Sequence, residues 1–305
     1  MSAETWTIGR LLNWTKEYLA KHGSDSPRLD AEVLLAHVRG CERISLYTAF
    51  DEPASEEVKT AFRALVKRRA EGAPVAYLVG QREFFSLPFR VTPAVLIPRP
   101  ETEFVVLAML DRAKTITTSP LRIADVGTGS GVLAICAAKQ LPQAEITAIE
   151  QSAEALVVAQ ENAEALGVSP RINFVESDLF ANVPKDVQFQ LIVSNPPYIK
   201  TGEAESLPRD VRQYEPAAAL FAGETGTEVI DRLVAQAQSR LVTGGVLICE
   251  ISPQLRPQIE QLFANNSAWR GLKFHKDLAG LDRAFEVERT AETPSEPQLG
   301  ALQEK

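Results

Sequence analysis

Cysteine and histidine are scarce in this sequence, with three of each in 305 residues. Cys41, Cys136 and Cys249 lie far apart in apolar stretches, which reads as buried free thiols rather than disulfides or a metal site. His22, His37 and His275 make no ligand spacing, so no metal is expected. No apolar run approaches the length of a membrane span, and no membrane partner is expected. Met1 to Arg10 carries Glu4 and lacks the apolar centre of a secretory leader, so the expected location is cytoplasmic. An excess of positive charge is also missing. With 32 Lys and Arg against 40 Asp and Glu, the net charge is -8, which argues against gripping nucleic acid as the main task but leaves a local basic face open. What remains is an ordinary soluble composition, 45% hydrophobic and 24% charged, in a chain long enough for two domains and without internal repeats.

The first part reads as helical. Ile8, Leu11, Leu12, Tyr18 and Leu19 share one face before Gly23, and Ser26-Pro27 opens a second helix that closes at Gly40. A third starts at Ser55, carries Phe62, Leu65 and Val66, and stops at Gly72. These stripes are core seams, with Trp6 and Trp14 in the core or at its rim, and they predict a small helical domain over 1–75. A connector over 76–100 follows. Glu83-Phe84-Phe85 and Phe89-Arg90-Val91, separated by Ser86-Leu87-Pro88, read as a β-hairpin. From there strands and helices alternate over 101–290, the pattern of a doubly wound, mostly parallel α/β sheet. Strands are expected over 122–126, 144–149, 171–175, 189–193, 246–251, 273–277 and 285–289. A helix is expected over 227–241, stopped by Gly244-Gly245. The tail, 291–305, is rich in Pro, Glu and Gln and is expected to be disordered.

Chemistry collects at the carboxyl ends of these strands, where open α/β sheets bind ligands. After the first strand, Gly127-Thr128-Gly129-Ser130-Gly131 opens a helix; glycines admit close approach of a ligand to the backbone. The spacing is Gly-x-Gly-x-Gly and not the dinucleotide fingerprint, which argues against a nicotinamide or flavin site. Glu150, at the end of the second strand, is placed to accept both hydroxyls of a ribose; the plain alternative is a solvated acid at a helix start. Asp178, after the third, can receive an adenine amino group or simply cap a turn. The fourth strand runs into Asn195-Pro196-Pro197-Tyr198. Two prolines without N–H groups stiffen this corner and leave the Asn195 amide oxygen and a proline carbonyl free to accept both hydrogens of a planar NH2 group, with Tyr198 packing on its face. The plain alternative is a proline loop with a surface tyrosine. Arg99, Glu101 and Glu103 form a charge cluster at a helix start, where the carboxylates also suit the helix dipole.

Asp125 to Gly131, Glu150, Asp178 and Asn195 to Tyr198 together resemble a class I, Rossmann-like S-adenosylmethionine-dependent methyltransferase, which implies a seven-stranded sheet. With Ile97-Pro-Arg-Pro-Glu-Thr-Glu103, Tyr198-Ile199, Glu215-Pro216 with Leu220, and Lys276-Asp-Leu-Ala-Gly-Leu-Asp-Arg283, the chain resembles the peptide chain release factor glutamine methyltransferase family. Arg28-Leu-Asp-Ala-Glu-Val-Leu-Leu35, Gly80 and Phe84-Phe85 extend the match to all but the tail. Ser252 stands after Glu250-Ile251 where the family commonly has glycine, and Glu150 where several members have aspartate. The resemblance implies methylation of N5 of the glutamine in the Gly-Gly-Gln loop of release factors, with the helical domain helping to hold the release factor; a monomer is expected. S-adenosyl-L-methionine would be held by Gly127, Thr128, Gly129, Ser130 and Gly131 at its methionine part, Glu150 at its ribose, and Asp178 and Leu179 at its adenine, with Asn195 nearby. Asn195, Pro196, Pro197 and Tyr198 would hold the substrate glutamine, with Arg99, Glu101 and Thr102 lining or bracing the pocket; Asn195, Pro196 and Tyr198 carry the catalysis.

Two rival readings remain. An adenine-N6 or cytosine-N4 nucleic-acid methyltransferase would meet the same two donors, but it usually carries a basic target-reading surface, and this chain has only scattered residues such as Lys67-Arg68-Arg69. A non-catalytic binder of release factors or ribosomes has no need of the glycine loop, Glu150 and Asn195 together.

Overall fold

The computed structural model describes residues 5–291, so the tail expected to be disordered lies, apart from Ala291, outside the described residues. Local capping sets the first helices. Thr7 accepts from Arg10 N at the start of α1 (Ile8–Lys21). Pro27 opens α2 (Pro27–Arg39), which ends at Gly40 in the left-handed region. The short α3 (Ser45–Thr48) precedes α4 (Glu56–Ala70), capped by Ser55, and α5 (Val75–Val79) follows. Leu11, Leu34, Leu35, Leu46, Phe62 and Leu78 bury one shared core. α3 and α5 are too short to show a period in the sequence.

β1 (Gln81–Phe84) and β2 (Leu87–Arg90) form the hairpin, with Phe84 opposite Leu87. Its turn is therefore Phe85-Ser86, not Ser86-Leu87-Pro88, and both residues have positive φ, 50° and 59°. A two-residue turn of that hand suits the strand twist but usually takes Gly or Asn. Tertiary contacts impose it here: Phe85 N donates to Glu103 Oε1 at 3.0 Å, and Phe84 and Phe89 are buried.

The second unit runs α6 (Glu103–Ala113), β3 (Leu121–Val126), α7 (Val132–Gln140), β4 (Ala144–Glu150), α8 (Ala153–Ala165), β5 (Ile172–Glu176), β6 (Phe189–Ser194) and β7 (Ile199–Lys200). It continues with α9 (Arg209–Tyr214), α10 (Ala217–Leu220), β8 (Phe221–Gly223), α11 (Glu228–Arg240), β9 (Leu241–Glu250), α12 (Arg256–Ala264), β10 (Trp269–Lys276) and β11 (Asp282–Arg289). Seven strands form one sheet in the order β10-β11-β9-β6-β3-β4-β5. β5, β4, β3, β6 and β9 are parallel, while β11 and β10 close the edge antiparallel. Side chains alternate between two cores: Ile123, Leu191 and Val193 face the side of α6 and α7, and Ala124, Ile192 and Leu247 face the side of α11 and α12. Gly244-Gly245 does not stop α11. Both glycines lie inside β9, where its pairing with β6 slips from Phe189↔Leu241 to Leu191↔Val246, the register break that glycines allow. α11 ends at Arg240, where the backbone turns extended at Leu241. β7 pairs β8 in a small separate sheet.

Buried Asn162 on α8 binds three backbone groups. Its Oδ1 accepts from Arg90 N at 2.7 Å, and its Nδ2 donates to Arg90 O at 3.0 Å and Ser130 O at 2.9 Å. It thus ties the hairpin to the glycine loop. Asn162→Leu leaves those groups unpaired and is expected to cost about 2–4 kcal/mol, read as a lower urea midpoint at unchanged slope. An unchanged midpoint would show that the tie carries no stability.

Candidate active site

The chain moves outward from β3 to β4 and β5, then crosses back to β6 on the other side of β3. The crevice at that switch point is where an open α/β sheet binds ligands. A cavity of about 390 Å³ opens there, within the roughly 300–1,000 Å³ of small-molecule sites.

One wall is the glycine loop. Gly127 N and Thr128 N donate to Ile149 O at 2.8 and 3.0 Å, which pins the loop to the end of β4. Gly127, Gly129 and Gly131 have φ of +73°, +55° and +87°, a run that residues with a Cβ rarely adopt. Glu150 lies at the mouth of this loop, its Oε2 accepting from Gly129 N at 2.9 Å and its Oε1 from Ser152 N at 3.0 Å. Each oxygen keeps lone-pair capacity for a further donor. Asp178 and Leu179 line the far end. Asp178 is paired with Arg232 at 2.5 Å, a partner 54 residues away that no local pattern marks, and Leu179 has positive φ, 49°.

Beneath the loop is Asp125, the most buried acid of the site. Its Oδ2 accepts from Thr128 Oγ1 at 2.6 Å and Ala134 N at 2.9 Å, while its buried Oδ1 has no hydrogen-bond partner. Burial pushes its carboxyl up to about 7. An orphaned carboxylate oxygen in a cavity wall suits a cationic ligand group. In the sequence Asp125 reads only as the start of the glycine motif; its signal is an acid among the apolar residues Ile123, Ala124 and Val126 at the end of a strand. Its raised pKa also fixes the sign of a pH effect. Between the ordinary 3.8 and about 7 the folded state binds more protons than the unfolded, so stability falls as pH rises through that window. The ligand-free protein is expected to melt at a higher temperature at pH 6 than at pH 8, and Asp125→Asn to flatten that slope. Calorimetric scans of both proteins check it; equal slopes would contradict it.

The adjoining wall is the Asn-Pro-Pro corner after β6, which leaves the sheet beside the glycine loop. Ser194 Oγ donates to Val126 O at 2.7 Å, joining β6 to β3 just before the corner. Asn195, Pro196 and Pro197 line the cavity with Thr102 and Arg99. Asn195 Nδ2 donates to Thr102 Oγ1 at 3.0 Å. Tyr198 and Glu101 are not brought to the cavity wall. The Tyr198 hydroxyl turns away and donates to Glu250 Oε1 at 3.2 Å, and burial raises its pKa further above the ordinary value. Glu101 faces Arg283 at 3.7 Å. Arg99 pairs with Glu215 at 2.5 Å, and the same carboxylate accepts from Ile97 N at 3.1 Å. Glu215 is buried, and its pKa is raised by that burial against the opposing pull of Arg99. This clamp joins the 97–99 segment to the 215–221 segment, both of which line the cavity. Among the described residues no cluster of three or more His, Cys, Asp or Glu could hold a metal ion, and no helix is long and apolar enough to cross a membrane.

Residues 10–80 match the family described as PrmC N-terminal domain, and residues 105–209 match the Methyltransferase small domain family. A release factor glutamine methyltransferase of Rhodopirellula baltica is 47% identical over 287 residues, covering 93% of this chain and 97% of that protein. One of Geobacter sulfurreducens is 44% identical, covering 81% of this chain and 85% of that protein. In fold alone, the chain is similar to the catalytic domain of hMettl16 solved with a MAT2A 3′UTR hairpin, with a TM-score of 0.52 and 17% identity, covering 75% of this chain and 83% of that one.

Proposed function

The chain belongs to the release factor glutamine methyltransferase family and methylates release-factor glutamine, and on that premise we propose that the acceptor is the side-chain amide nitrogen, N5, of the Gly-Gly-Gln loop and the donor S-adenosyl-L-methionine. The observation that carries the acceptor is the Asn195 amide, whose Nδ2 is occupied by Thr102 so that its Oδ1 is left to accept. The observation that carries the donor is the wall of Asp125, the glycine loop and Glu150: an orphaned buried carboxylate oxygen for a cationic group and a carboxylate for a diol. When bound, the cofactor supplies a methyl group on a positively charged sulfur.

An amide nitrogen is a poor nucleophile, because its lone pair is delocalised into the carbonyl. Asn195 Oδ1 and the Pro196 carbonyl accept its two hydrogens. That fixes the nitrogen in the cavity and favours the positive charge that grows on it. Pro196 and Pro197 hold these acceptors stiffly. The Tyr198 ring packs beneath the corner and its hydroxyl anchors the corner to Glu250, a supporting role in place of direct contact with the glutamine. The helical unit is the part that holds the release factor. Large apolar side chains remain exposed on it, among them Trp14, Leu29 and Ile44.

Methyl transfer from labelled S-adenosylmethionine to a release factor and, in parallel, to duplex DNA tests this reading. Label on the loop glutamine is expected; label on DNA alone would overturn it.

A further inference from the structure

Glu215 joins two walls of the cavity from behind. Its side chain is 1% exposed, and each carboxylate oxygen holds a different group of the 97–99 segment. Oε2 accepts from Ile97 N at 3.1 Å, and Oε1 accepts from Arg99 Nη2 at 2.5 Å. On its own side, Glu215 is followed by Pro216, Ala218, Ala219 and Phe221, which line the cavity. It is anchored in turn by α9. Glu215 N donates to Val211 O at 3.1 Å, and Asp210 faces Arg69 of the helical unit at 3.7 Å. The carboxylate is therefore a fixed point to which the Arg99 guanidinium is tied.

Arg99 itself is not buried: its side chain is 31% exposed and lines the cavity. A guanidinium carries five N–H donors in a rigid fork. Glu215 takes Nη2, while Nε and Nη1 have no hydrogen-bond partner among the described residues and remain accessible. Of the two arginines that line the cavity, Arg232 is held at the far end by Asp178, which leaves Arg99 on the Asn195 side. It sits one tight turn from the acceptor site. Thr102 N donates to Arg99 O at 3.1 Å, and Thr102 Oγ1 accepts from Asn195 Nδ2 at 3.0 Å. The proposed contacts to the substrate nitrogen use acceptors only, Asn195 Oδ1 and the Pro196 carbonyl. A glutamine residue also brings carbonyl oxygens, one on its amide and one on its backbone, and each calls for a donor when it leaves water. Arg99 supplies such donors, and Glu215 already balances its charge.

We propose that Arg99 donates to a carbonyl oxygen of the bound glutamine residue, and that Glu215 is the positioning residue that aims its guanidinium. The inference rests on the proposed amide-nitrogen acceptor and adds a donor side to that pocket. The plain alternative is an ion pair that only holds two walls together. The two readings part when both charges are removed. A buried Glu215 carboxylate without its arginine is costly, whereas a neutral pair is not. A purely structural role is thus repaired by the second substitution, and a donor role is not.

The test compares the intact wild-type protein with Arg99→Met, Glu215→Gln and the Arg99→Met/Glu215→Gln double variant. It measures melting temperature, calorimetric Kd for S-adenosylmethionine, and kcat and KM for release-factor methylation. Glutamine at 215 keeps an acceptor for Ile97 N. Arg99→Met is expected to lower kcat/KM by about 10–10², the contribution of one hydrogen bond to a charged group. It is also expected to lower the melting temperature by about 5 °C, because Glu215 is left buried and unpaired. Glu215→Gln is expected to lose about 3–10-fold in kcat/KM, the entropy of fixing one loosened side chain on binding. The double variant should regain the melting temperature while its kcat/KM stays at that of Arg99→Met, because Glu215 acts through Arg99. Cofactor Kd should stay unchanged throughout. A loss in KM alone supports a contact to the backbone carbonyl, and a loss that reaches kcat supports one to the carbonyl of the reacting amide. Activity that returns with the melting temperature in the double variant, wild-type kcat/KM in Arg99→Met, or a cofactor Kd weakened in step with kcat/KM would overturn the inference while leaving the proposed function standing. No methyl transfer to the release factor by the wild type would overturn both.

Discussion

Asn195→Ala is expected to lower kcat for release-factor methylation by about 10²–10³, the cost of removing one preorganised transition-state hydrogen bond. Alanine removes the Oδ1 acceptor from the cavity wall but leaves Ser194 bonded to Val126 and Pro196-Pro197 in place, so the corner survives. It also frees Thr102 Oγ1 of its Asn195 partner, while the glycine loop keeps its own bonds to Ile149 and Glu150. Cofactor affinity should therefore change much less than turnover. Single-turnover transfer to a release factor at saturating cofactor reads the effect directly. A rate within threefold of wild type would remove Asn195 from the chemistry.

The second large effect is on binding. Glu150→Ala is expected to weaken S-adenosylmethionine binding by about 10²–10³. A hydrogen bond to a charged group contributes about 1.5–3 kcal/mol, a ribose diol offers two donors, and each 1.4 kcal/mol is tenfold. Alanine also takes away the acceptor of Gly129 N and Ser152 N, so the glycine loop loses a brace as the ribose loses its partner. Glu150→Asp keeps a carboxylate and should retain most of the affinity. Calorimetric titration of the three proteins separates these outcomes. A Kd for Glu150→Ala within threefold of wild type would place the ribose elsewhere.

The difference between what was legible in the residues and what was not is one of range. Helix faces and caps are local, so Ser26-Pro27, Gly40 and Ser55 marked their helices correctly. The alternation of strands and helices is local too, and it put Gly127, Glu150 and Asn195 at strand ends facing one crevice. The hairpin turn was misread because Phe85-Ser86 takes a backbone that only its tertiary contact with Glu103 explains. Gly244-Gly245 read as a helix stop because a glycine pair looks the same before a strand and inside a slipped one; only the pairing partner β6 distinguishes them. At the site, Tyr198 was expected on the substrate face and is drawn beneath the corner by Glu250, 52 residues further along the chain. Glu101, expected to line or brace the pocket, does not line the cavity and meets Arg283. The Asp178–Arg232 and Arg99–Glu215 pairs also join residues with no local relation. Long-range polar partners leave no periodic trace, which is why Asp125 and Glu250 gained roles only once the strands were side by side.

The proposed chemistry depends on two carbonyl oxygens taking both hydrogens of a glutamine side chain. A crystal structure of the protein with S-adenosylhomocysteine and a release factor measures this directly. The expected result has the loop glutamine nitrogen within about 3.2 Å of both Asn195 Oδ1 and the Pro196 carbonyl oxygen, and facing the cofactor sulfur. A glutamine held by other groups, or an Asn195 amide turned with its N–H groups to the substrate, would contradict the account.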